Sequence, residues 1–427
     1  MRAAAVLLVV LVVTLFPAFA TEKKPANDWR QWLGNDYSGV FKDVDLLEGF
    51  LGAGPKILWR VPLKIGWSCP VIYDNLLYVT SLENKETEAV TCLDAFSGKQ
   101  LWKYVYPVKY EKVAYGQGGP RAAATVTEKF VYSIGAMGDL LCLDRFTGSI
   151  IWEKKLFKAY PPYIKGWKGY SISPLLADNK VIVNLGPDAK KENEMCAAFD
   201  ALSGKELWLY KRPVKIRTTI QVSQTPRIVE FFGEKCVLYS PFARLSVLSL
   251  ADGKLLFEYP LLEGVNTIAT PVVFEGNKIL EQPFEKDPVL LEIFGTREKA
   301  GVKKLWNTKK LPAGHFSFVF YGGYFYGFAS CFNLVAVEAK TGAIAWSKSG
   351  LKIDASLALA DGKLYIRSGT ELIIAKATGK KFEELSSYKF NIAQGRDDFI
   401  GWASPIVAHK KLYLRFSEEL LCIDLSR

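Results

Sequence analysis

Short runs of alternating apolar and polar residues recur along most of this chain, and turn-forming residues separate them. In SPLLADNKVIVN, residues 173–184, a turn at Asp178-Asn179 separates two such runs. A third run follows, then a Ser/Thr-Gly turn, and then a fourth run that carries a tryptophan. Alternation with a period of two is typical of β-strands, while Asn, Asp and Gly favour tight turns. The pattern therefore predicts an all-β protein built from units of four short antiparallel strands.

One motif marks successive units: it reads TCLDAFSGKQLW at 91–102, LCLDRFTGSIIW at 141–152 and AAFDALSGKELW at 197–208. A catalytic motif needs to occur once, whereas a motif repeated at a regular period indicates stacked structural units. Seven copies can be followed by a turn glycine and by the aromatic residue that comes after it. The glycines are Gly98, Gly148, Gly204, Gly253, Gly301, Gly342 and Gly379, and the aromatic residues are Trp102, Trp152, Trp208, Phe257, Trp306, Trp346 and Phe382.

Each residue type in the motif has a structural role. The aspartate can accept hydrogen bonds from backbone amides of the turn, and glycine supplies a positive φ. The tryptophan can bury its ring between neighbouring units, while its indole N–H needs one acceptor. We therefore interpret Asp94, Asp144 and Asp200 as structural rather than catalytic.

The two ends of the repeat region complete each other. ELLCIDLSR, residues 419–427, is the first half of the motif, and PKILWRVPL, residues 55–63, resembles the missing second half. A unit split in this way closes a ring and removes the exposed sheet edges of an open array. We predict an eight-bladed β-propeller of four-stranded blades over 55–427, closed by pairing of the N- and C-terminal strands. A pair of two-sheet sandwiches does not explain the split motif.

Residues 1–20 have the features of a secretory signal peptide: Arg2, an apolar run over 3–16, and Ala18-Phe19-Ala20. We expect cleavage near Ala20, an N-terminal extension over 21–54, and a periplasmic or otherwise exported protein. The first cysteine is Cys69, so no lipid anchor is expected and the protein should not be membrane-anchored.

The cysteines and the net charge further limit the classes of protein that fit this sequence. Four of the seven cysteines, Cys92, Cys142, Cys196 and Cys422, recur at or near one place in the repeat, so buried free thiols are favoured over disulfides. There is no Cys-Cys pair and no C-x-x-C, which disfavours c-type haem and thiol redox chemistry. The formal net charge of +11 favours anionic partners. Nucleic acid is not expected, because the lysines are dispersed and the chain should be exported, and we expect a monomer.

The units LDAFSGKQLW, LDRFTGSIIW and FDALSGKELW resemble the PQQ-like repeat. That repeat is shared by quinoprotein alcohol dehydrogenases and by the BamB lipoprotein of the outer-membrane β-barrel assembly machinery. Other stretches, DWRQWLGNDYSGVF, GQGGPRAAATV and MGDLLCLDRFTG, are similar to exported bacterial PQQ-like propellers of unsettled activity. The resemblance covers roughly residues 55–427 and implies the fold, but it leaves the function open.

A ligand site is predicted at one mouth of the channel. Aligning the segments before each innermost strand gives one equivalent position per blade, and these positions do not repeat one residue type. They are Trp67, Arg121, Ser171, Ser223, Ile268, His315, Asp354 and Trp402. Nearby loops add Gln117, Trp167, Tyr170, Arg217, Gln221, Asn266 and Arg396. Aromatic residues could stack on a flat or sugar-like group and arginines could bind its anionic parts; alternatively, Trp67 and Trp402 only fill the channel.

Three functions fit this sequence to different degrees. The absence of redox motifs and of paired catalytic groups favours a non-catalytic binding or scaffolding protein that engages a protein or an anionic cell-envelope polymer, with no cofactor expected and no metal site. The alternative implied by the resemblance is a quinoprotein alcohol or sugar dehydrogenase with PQQ and calcium, for which Asp354 and Asn266 are candidate ligands. A polysaccharide hydrolase or lyase is third, because it would need two carboxylates at the mouth.

Overall fold

The computed structural model describes residues 27–50, 52, 54–110, 119–163, 169–190, 192–214, 222–262, 264–308, 311–312, 314–329, 332–392 and 402–427. Within these residues nearly all regular structure is β, together with a short α-helix, α1 Leu156–Ala159. The expected signal peptide and its cleavage point lie outside the described residues, as does the start of the 21–54 extension.

Eight antiparallel sheets form the blades of a β-propeller, as the repeat predicts. In every blade but the last, the strands follow one another in chain order from the central channel to the rim. Two strands come before the first blade: β1 Val40–Phe41 and β2 Ile57–Pro62. Blade 1 consists of β3 Val71–Tyr73, β4 Leu76–Asn84, β5 Thr87–Asp94 and β6 Gln100–Pro107, and blade 2 of β7 Thr125–Val126, β8 Phe130–Ile134, β9 Asp139–Asp144 and β10 Ile150–Lys155. Blade 3 consists of β11 Leu175–Ala177, β12 Lys180–Pro187, β13 Asn193–Asp200 and β14 Glu206–Pro213, and blade 4 of β15 Arg227–Phe231, β16 Glu234–Tyr239, β17 Arg244–Ser249 and β18 Leu255–Pro260.

The remaining strands complete the ring. Blade 5 consists of β19 Val272–Phe274, β20 Lys278–Glu281, β21 Val289–Phe294 and β22 Gly301–Asn307, and blade 6 of β23 Val319–Tyr321, β24 Tyr324–Phe328, β25 Leu334–Glu338 and β26 Ile344–Lys348. Blade 7 consists of β27 Ser356–Ala360, β28 Lys363–Ser368, β29 Glu371–Lys376 and β30 Glu384–Lys389. Blade 8 consists of β31 Ile406–Ala408, β32 Lys411–Phe416 and β33 Glu419–Asp424, with β2 as its outer strand.

Blade 8 is the split unit. Strand β2 pairs antiparallel with β33, so that Trp59 lies opposite Cys422 and Val61 lies opposite Leu420. Strands from both ends of the repeat region therefore share one sheet, which confirms the predicted closure of the ring.

The motif tryptophans join neighbouring blades. The indole N–H of Trp102 in blade 1 donates to the carbonyl of Arg145 in the motif turn of blade 2, at 3.0 Å. The indole of Trp152 makes the same bond to Ala201 in blade 3, also at 3.0 Å. A blade that carries a motif tryptophan thus fixes the turn of the next blade, and the indole N–H finds the acceptor that it needs.

Turn glycines lie against these rings. Gly148 has a φ of 71°, and a Cβ atom there would lie 2.5 Å from Trp102. The position therefore needs glycine for both its backbone conformation and its space. Two assignments from the sequence are wrong, because neither Gly301 nor Gly379 has a positive φ. Gly301 begins β22, since blade 5 has a longer turn in which Gly295 adopts a φ of 94°. Gly379 lies in the degenerate seventh copy and packs against Tyr324.

The propeller has two distinct faces. The turn face carries the hairpins between first and second strands together with the motif turns, which are hydrogen-bonded to each other; for example, Ala95 N donates to Asn75 O at 2.8 Å. The loop face carries the segments that lead into the first strand of each blade, such as residues 63–70 before β3.

Residues 27–41, here called the central segment, lie in the channel. Trp29 pairs with Ile72 of β3 through two backbone hydrogen bonds, and Arg30 O accepts the Val126 amide of β7. Strand β1 then adds to β27 in parallel on its channel side. Within the predicted 21–54 extension, residues 27–41 thus lie inside the propeller.

The central segment enters and leaves at the turn face. Asp28 accepts the amide of Asp74 in the first hairpin turn of blade 1, at 3.0 Å. After β1, Leu46 N donates to Asp361 in a hairpin turn of blade 7, and Phe50 N donates to Ser386 on the rim. The chain's own backbone therefore occupies the turn-face end of the channel.

Six cysteines lie within the described residues, and all six are buried and free. This agrees with the expected thiols, while Cys331 is outside the described residues. Burial raises the pKa of Cys92 to about 12, which keeps its thiol protonated. In the described part of the chain, no helix has the length and apolar character to cross a bilayer.

Candidate functional site

The predicted mouth positions do gather at the loop face, because each one comes just before the first strand of its blade. Six of them are partly exposed there: Trp67, Arg121, Ser171, Ser223, His315 and Trp402. Trp167, Gln221 and Arg396, like Gln117 and Arg217, lie outside the described residues. Trp67, Arg121, His315 and Trp402 are called the loop mouth below, together with Phe316.

Arg121 and Trp67 form one half of the loop mouth. The guanidinium carbon of Arg121 lies 4.7 Å from the centroid of the Trp67 ring, which is a cation–π distance. The backbone also joins the two loops, since Trp67 N donates to Pro120 O at 3.0 Å. Burial lowers the pKa of Arg121 from its ordinary value, although the guanidinium remains charged at neutral pH.

His315, Phe316 and Trp402 form the other half. The His315 and Trp402 rings meet edge to face at 5.2 Å, and the Phe316 ring stacks on Trp402 at 5.8 Å. Phe284 of the preceding blade, blade 5, contacts His315 with their ring centroids 4.8 Å apart. Blades 5, 6 and 8 thus contribute to one aromatic cluster.

Two buried arginines hold the mouth tryptophans, and the mouth prediction did not include them. Arg415 of blade 8 donates to Ser68 O at 3.1 Å, directly after Trp67. Arg367 of blade 7 donates to Ala403 O at 3.3 Å, directly after Trp402. The sequence contains a signal for both, since KLYIR and KLYLR recur at 363–367 and 411–415. Burial lowers the pKa of Arg415 to about 9, because taking the charged guanidinium out of water costs free energy. The contact that holds the loop therefore has this desolvation cost.

Asp354 differs from its expected role. It is buried, and its carboxylate forms an ion pair with Arg367, with Nη1 and Oδ2 separated by 2.9 Å. Its other oxygen accepts the Gly369 amide at 3.1 Å. The position predicted to present a carboxylate at the channel therefore contains an internal ion pair, and a carboxylate so engaged is poorly placed to bind a ligand.

Tyr170 and Asn266 are likewise buried and are not part of the exposed surface. Tyr170 packs against Gly138, and its hydroxyl points to Leu185 O at 3.5 Å. Asn266 O accepts the Phe284 amide at 3.0 Å. Period-two patterns identify the strands but do not show which loop residues turn inward, so both residues were expected at the mouth.

A buried carboxylate lies below Arg121. Glu88 accepts hydrogen bonds from Tyr106 Oη at 2.7 Å, from the Tyr110 hydroxyl and from the Ala136 amide. Burial raises the pKa of Glu88, although these donors oppose the shift. The Tyr110 hydroxyl accepts the Gly119 amide at 2.8 Å and so links this network to the loop before Arg121. A glutamate six residues before the motif aspartate also occurs at Glu194, where Arg212 pairs with it at 2.6 Å.

A cavity lies between the central segment and the aromatic cluster. It holds about 500 Å³ of empty space, including its open side, and Trp29, Trp32, Phe316 and Ile406 are among its lining residues. Phe316 belongs to both the cavity wall and the loop mouth, so the cavity adjoins the aromatic half of the mouth.

Calcium fits poorly with the residues proposed for it. Calcium takes six to eight oxygen ligands, usually including several carboxylates. Asp354 is committed to Arg367, and within the described ranges no three His, Cys, Asp or Glu side chains are grouped so as to hold a metal ion.

A family model described as "Outer membrane protein assembly factor BamB" matches residues 52–119 and 108–348, which together are more than half of the chain. The chain belongs to this family. Its repeats are PQQ-like, as their sequence indicates, and the fold accords with that membership.

Solved structures agree on the fold. The BamB structure from Moraxella catarrhalis is similar with a TM-score of 0.60 and 14% identity, over 86% of this chain and 97% of that one. Quinohemoprotein alcohol dehydrogenase from Comamonas testosteroni has a TM-score of 0.66 and 12% identity, over 94% of this chain and 81% of that one. At such identities these likenesses establish the fold alone.

One curated relative matches in sequence. It is quinohemoprotein alcohol dehydrogenase ADH IIB from Pseudomonas putida, 29% identical over 144 residues. The match covers 33% of this chain and 19% of that enzyme. The matched part is therefore about a fifth of the enzyme's length.

Proposed function

We propose that this protein is an exported, non-catalytic binding or scaffolding propeller that engages a protein or an anionic cell-envelope polymer at its loop mouth. One observation carries the proposal: Arg121 lies over Trp67, and the His315, Phe316 and Trp402 cluster lies on the same face. A fixed cation beside stacking rings suits carboxylate-bearing sugars and acidic peptides.

The other end of the channel supports the choice of face. The central segment fills the turn-face end with backbone that is hydrogen-bonded to β3, β7 and β27. The non-repeating aromatic and cationic residues lie at the opposite end, on the loop face. A ligand at the loop mouth meets these side chains without displacing the central segment.

The net charge of +11 favours anionic ligands over neutral ones. Because Arg121 is partly buried against Trp67, it presents a positive charge whose geometry is already fixed. Such preorganisation reduces the entropy lost on binding.

A direct test uses polygalacturonate and polyglutamate as anionic probes, with neutral dextran as a reference, and follows quenching of tryptophan fluorescence. We expect the anionic probes to bind and dextran not to bind. Raising the salt concentration from about 50 to about 200 mM should weaken binding, as expected for exposed charges.

The variant Trp67→Ala/Arg121→Ala/Trp402→Ala should bind at least about tenfold more weakly, since it removes the stacking surfaces and the cation. Circular dichroism must show that it still folds. A matched control, Phe294→Ala/Arg297→Ala, changes an exposed aromatic residue and an exposed arginine on the turn face and should bind normally. Equal binding by both variants, or no binding of either probe by the natural protein, contradicts the proposal.

The sequence match to a quinohemoprotein alcohol dehydrogenase keeps the enzyme as the second candidate. Its test is the absorbance spectrum after addition of PQQ and calcium, together with dye-linked oxidation of alcohols. A stoichiometric quinone band with alcohol oxidation would replace the binding proposal with this one.

A further inference from the structure

A buried cation in blade 8 is only partly hydrogen-bonded within the described residues. Arg415, in β32, is 1% exposed. Its Nη1 atom donates to Ser68 O at 3.1 Å and to Ser68 Oγ at 2.7 Å, whereas its Nε and Nη2 atoms have no hydrogen-bond partner there. Buried N–H groups are nearly always paired, and leaving those of a charged group unpaired is especially unfavourable. These two donors therefore need a partner from outside the described chain.

Blade 7 contains the same arginine together with an acid. Arg367 has the place in KLYIR that Arg415 has in KLYLR, and each of them holds a loop of the next blade. Arg367 also donates from Nη1 to the Asp354 carboxylate and from Nη2 to Asp354 O, both at 2.9 Å. At this position of the fold, a buried guanidinium thus occurs with a negative charge beside it, as the cost of desolvation requires.

Blade 8 lacks the corresponding acid. Asp354 comes thirteen residues before Arg367, and the same spacing before Arg415 leads to Trp402. Blade 8 therefore has an uncharged residue where blade 7 has the neutralising carboxylate. Burial lowers the pKa of Arg415, and the group that opposes this shift is the Cys69 thiol, whereas for Arg367 it is chiefly Asp354. Within the described residues, no carboxylate acts on Arg415 as Asp354 acts on Arg367.

The two unpaired donors form one edge of the guanidinium group. The Nε–H and one Nη2–H bond point to the same side of this planar group, so they can donate two parallel hydrogen bonds to a single anion. Gly66 lies beside Nη2, since a Cβ atom at Gly66 would be 2.2 Å from it. A side chain at residue 66 would therefore fill the space next to Nη2, and glycine leaves that space open.

Enclosure limits the size of the anion. Both donor atoms are inaccessible to solvent, and the loop over 66–69 covers them. That loop is also tied to the neighbouring mouth loop, because Ser404 N donates to Cys69 Sγ at 3.2 Å. A carboxylate attached to a polymer would have to open these loops to reach Arg415. A small inorganic ion needs much less room, and its single negative charge matches the single charge of the guanidinium.

We propose that the Nε and Nη2 atoms of Arg415 bind one small monovalent anion of the halide class, such as chloride. The anion supplies from solution the negative charge that Asp354 supplies to Arg367, and so offsets part of the desolvation cost. It thereby stabilises the contact with Ser68 that holds the loop of Trp67. The anion supports the loop mouth from below, whichever partner the mouth itself engages.

Thermal unfolding of the full chain at constant ionic strength tests the proposal. Sodium gluconate is replaced stepwise by sodium chloride or sodium bromide at about 150 mM total salt, so that screening stays constant. Gluconate is too large for the enclosed site. We expect each halide to raise the Tm by at least about 2 °C, because an anion that binds the native state alone stabilises it by mass action. A Tm that responds to neither halide overturns the proposal.

Two variants assign the response to the arginine. Arg415→Met removes the charge but keeps a long side chain, so its Tm should not respond to halide. Arg60→Gln is the matched control in the same blade, because Arg60 is 40% exposed and pairs with Glu419, with Nε and Oε1 separated by 3.3 Å. This control should respond like the natural protein. An equal halide response of Arg415→Met and the natural protein contradicts the proposal.

Bromide locates the anion directly and requires no variant. Crystals of the natural protein soaked in bromide should show an anomalous scattering peak within hydrogen-bond distance of both Nε and Nη2 of Arg415. The corresponding place at Arg367 should show no peak, because Asp354 already pairs with that guanidinium. An ordered water at Arg415, with bromide only at other places, would overturn the proposal even if Arg415→Met failed to fold.

Discussion

Single side chains in this propeller carry out tasks that the repeat does not reveal. Arg367 and Arg415 are each buried below a mouth loop and hold the residue that follows a mouth tryptophan. Burying a guanidinium costs desolvation free energy, so positioning Trp402 and Trp67 in this way lowers the stability of the fold. The loop mouth is therefore built by residues that no ligand needs to touch.

Glu281, in β20, is another ionisable group whose burial costs free energy. It is fully buried, and burial raises its pKa to about 8, although the Ser240 hydroxyl and the Gln282 amide oppose the shift. The carboxyl group is therefore mainly protonated in the native protein at neutral pH. An acid in this environment behaves as a neutral hydrogen-bonding group rather than as a charge.

The pH dependence of stability should reveal this group. The unfolded chain releases the Glu281 proton near its ordinary pKa of 4.5, whereas the native protein releases it near 8. The native state thus binds more protons in this window, and stability falls as pH rises through it, by at most about 1.4 kcal/mol per pH unit, and levels off above it. Glu281→Gln should match the natural protein near the acidic end and be more stable at the alkaline end.

Urea unfolding across that pH range, followed by tryptophan fluorescence, measures the difference between the two proteins. The exposed Glu86→Gln serves as the control and should follow the natural protein throughout. A constant difference between Glu281→Gln and the natural protein across the whole range would show that the acid is charged in the native state.

At the scale of elements, the contact between a motif turn and the tryptophan of the preceding blade is the repeated joint of the ring. Gly148 and Trp102 form one such joint, and the backbone at Gly148 has a φ of 71°. Two penalties would follow from a side chain there: a strained backbone and a clash with the ring. Comparison with a second glycine, Gly276, isolates the backbone penalty, because a side chain there would not clash.

Gly276, in the β19–β20 turn, has a φ of 76°, and a Cβ atom there would meet nothing within 4 Å. Gly276→Ala should cost about 1–2 kcal/mol of unfolding free energy from the backbone alone. Gly148→Ala should cost about 1–3 kcal/mol more, because its Cβ would lie 2.5 Å from Trp102. Equal losses in chemical unfolding would mean that the joint tolerates an added methyl group.

Periodic features of the fold could be predicted from sequence, because alternation and the motif report local geometry directly. The four-stranded blades, the inter-blade tryptophans and the closure by β2 and β33 are confirmed. The partner of Asp354 could not be foreseen: Arg367 lies thirteen residues away on another strand, and alternation does not show which side chains pair. Trp67 and Arg121 were predicted as neighbouring positions in the ring at the channel mouth. The structure adds that their side chains are in cation–π contact.

The path of the central segment was also beyond sequence reasoning. DWRQWLGNDYSGVF does not repeat, and its contacts are to strands that follow far along the chain. Gly301 shows the opposite error, since it was placed in a turn by analogy with other copies although its blade has a longer turn. Both cases concern residues that depart from the repeat, as does the loop mouth itself.

At the scale of the whole molecule, the central segment ties blades together from inside. It bonds to β3, β7 and β27, and Asp28 also contacts His409 of blade 8 at 3.2 Å. Trp29 stacks on Phe41 at 3.8 Å, so the incoming and outgoing parts of the segment support each other. The ring is thus closed at its rim by β2 and braced at its centre.

Asp28→Ala tests the brace. The carboxylate is nearly inaccessible and accepts from Asp74 N, Arg30 and His409, so its loss should cost about 2–4 kcal/mol and make the segment sensitive to protease. Asp36→Ala is a control in the same segment, because Asp36 pairs with Lys42 in an exposed ion pair and should cost about 0–1 kcal/mol. Thermal unfolding and limited proteolysis measure both effects. Equal effects would show that the segment is held by its apolar contacts alone.

The pairing of β2 with β33 has a consequence for biogenesis. The outer strand of blade 8 comes from the start of the repeat region and its neighbour from the end of that region, so blade 8 cannot form until β33 has been synthesised. A polypeptide cut short before residue 419 leaves β2 without its partner and keeps open strand edges. These products therefore expose backbone N–H and C=O groups that the closed ring keeps paired.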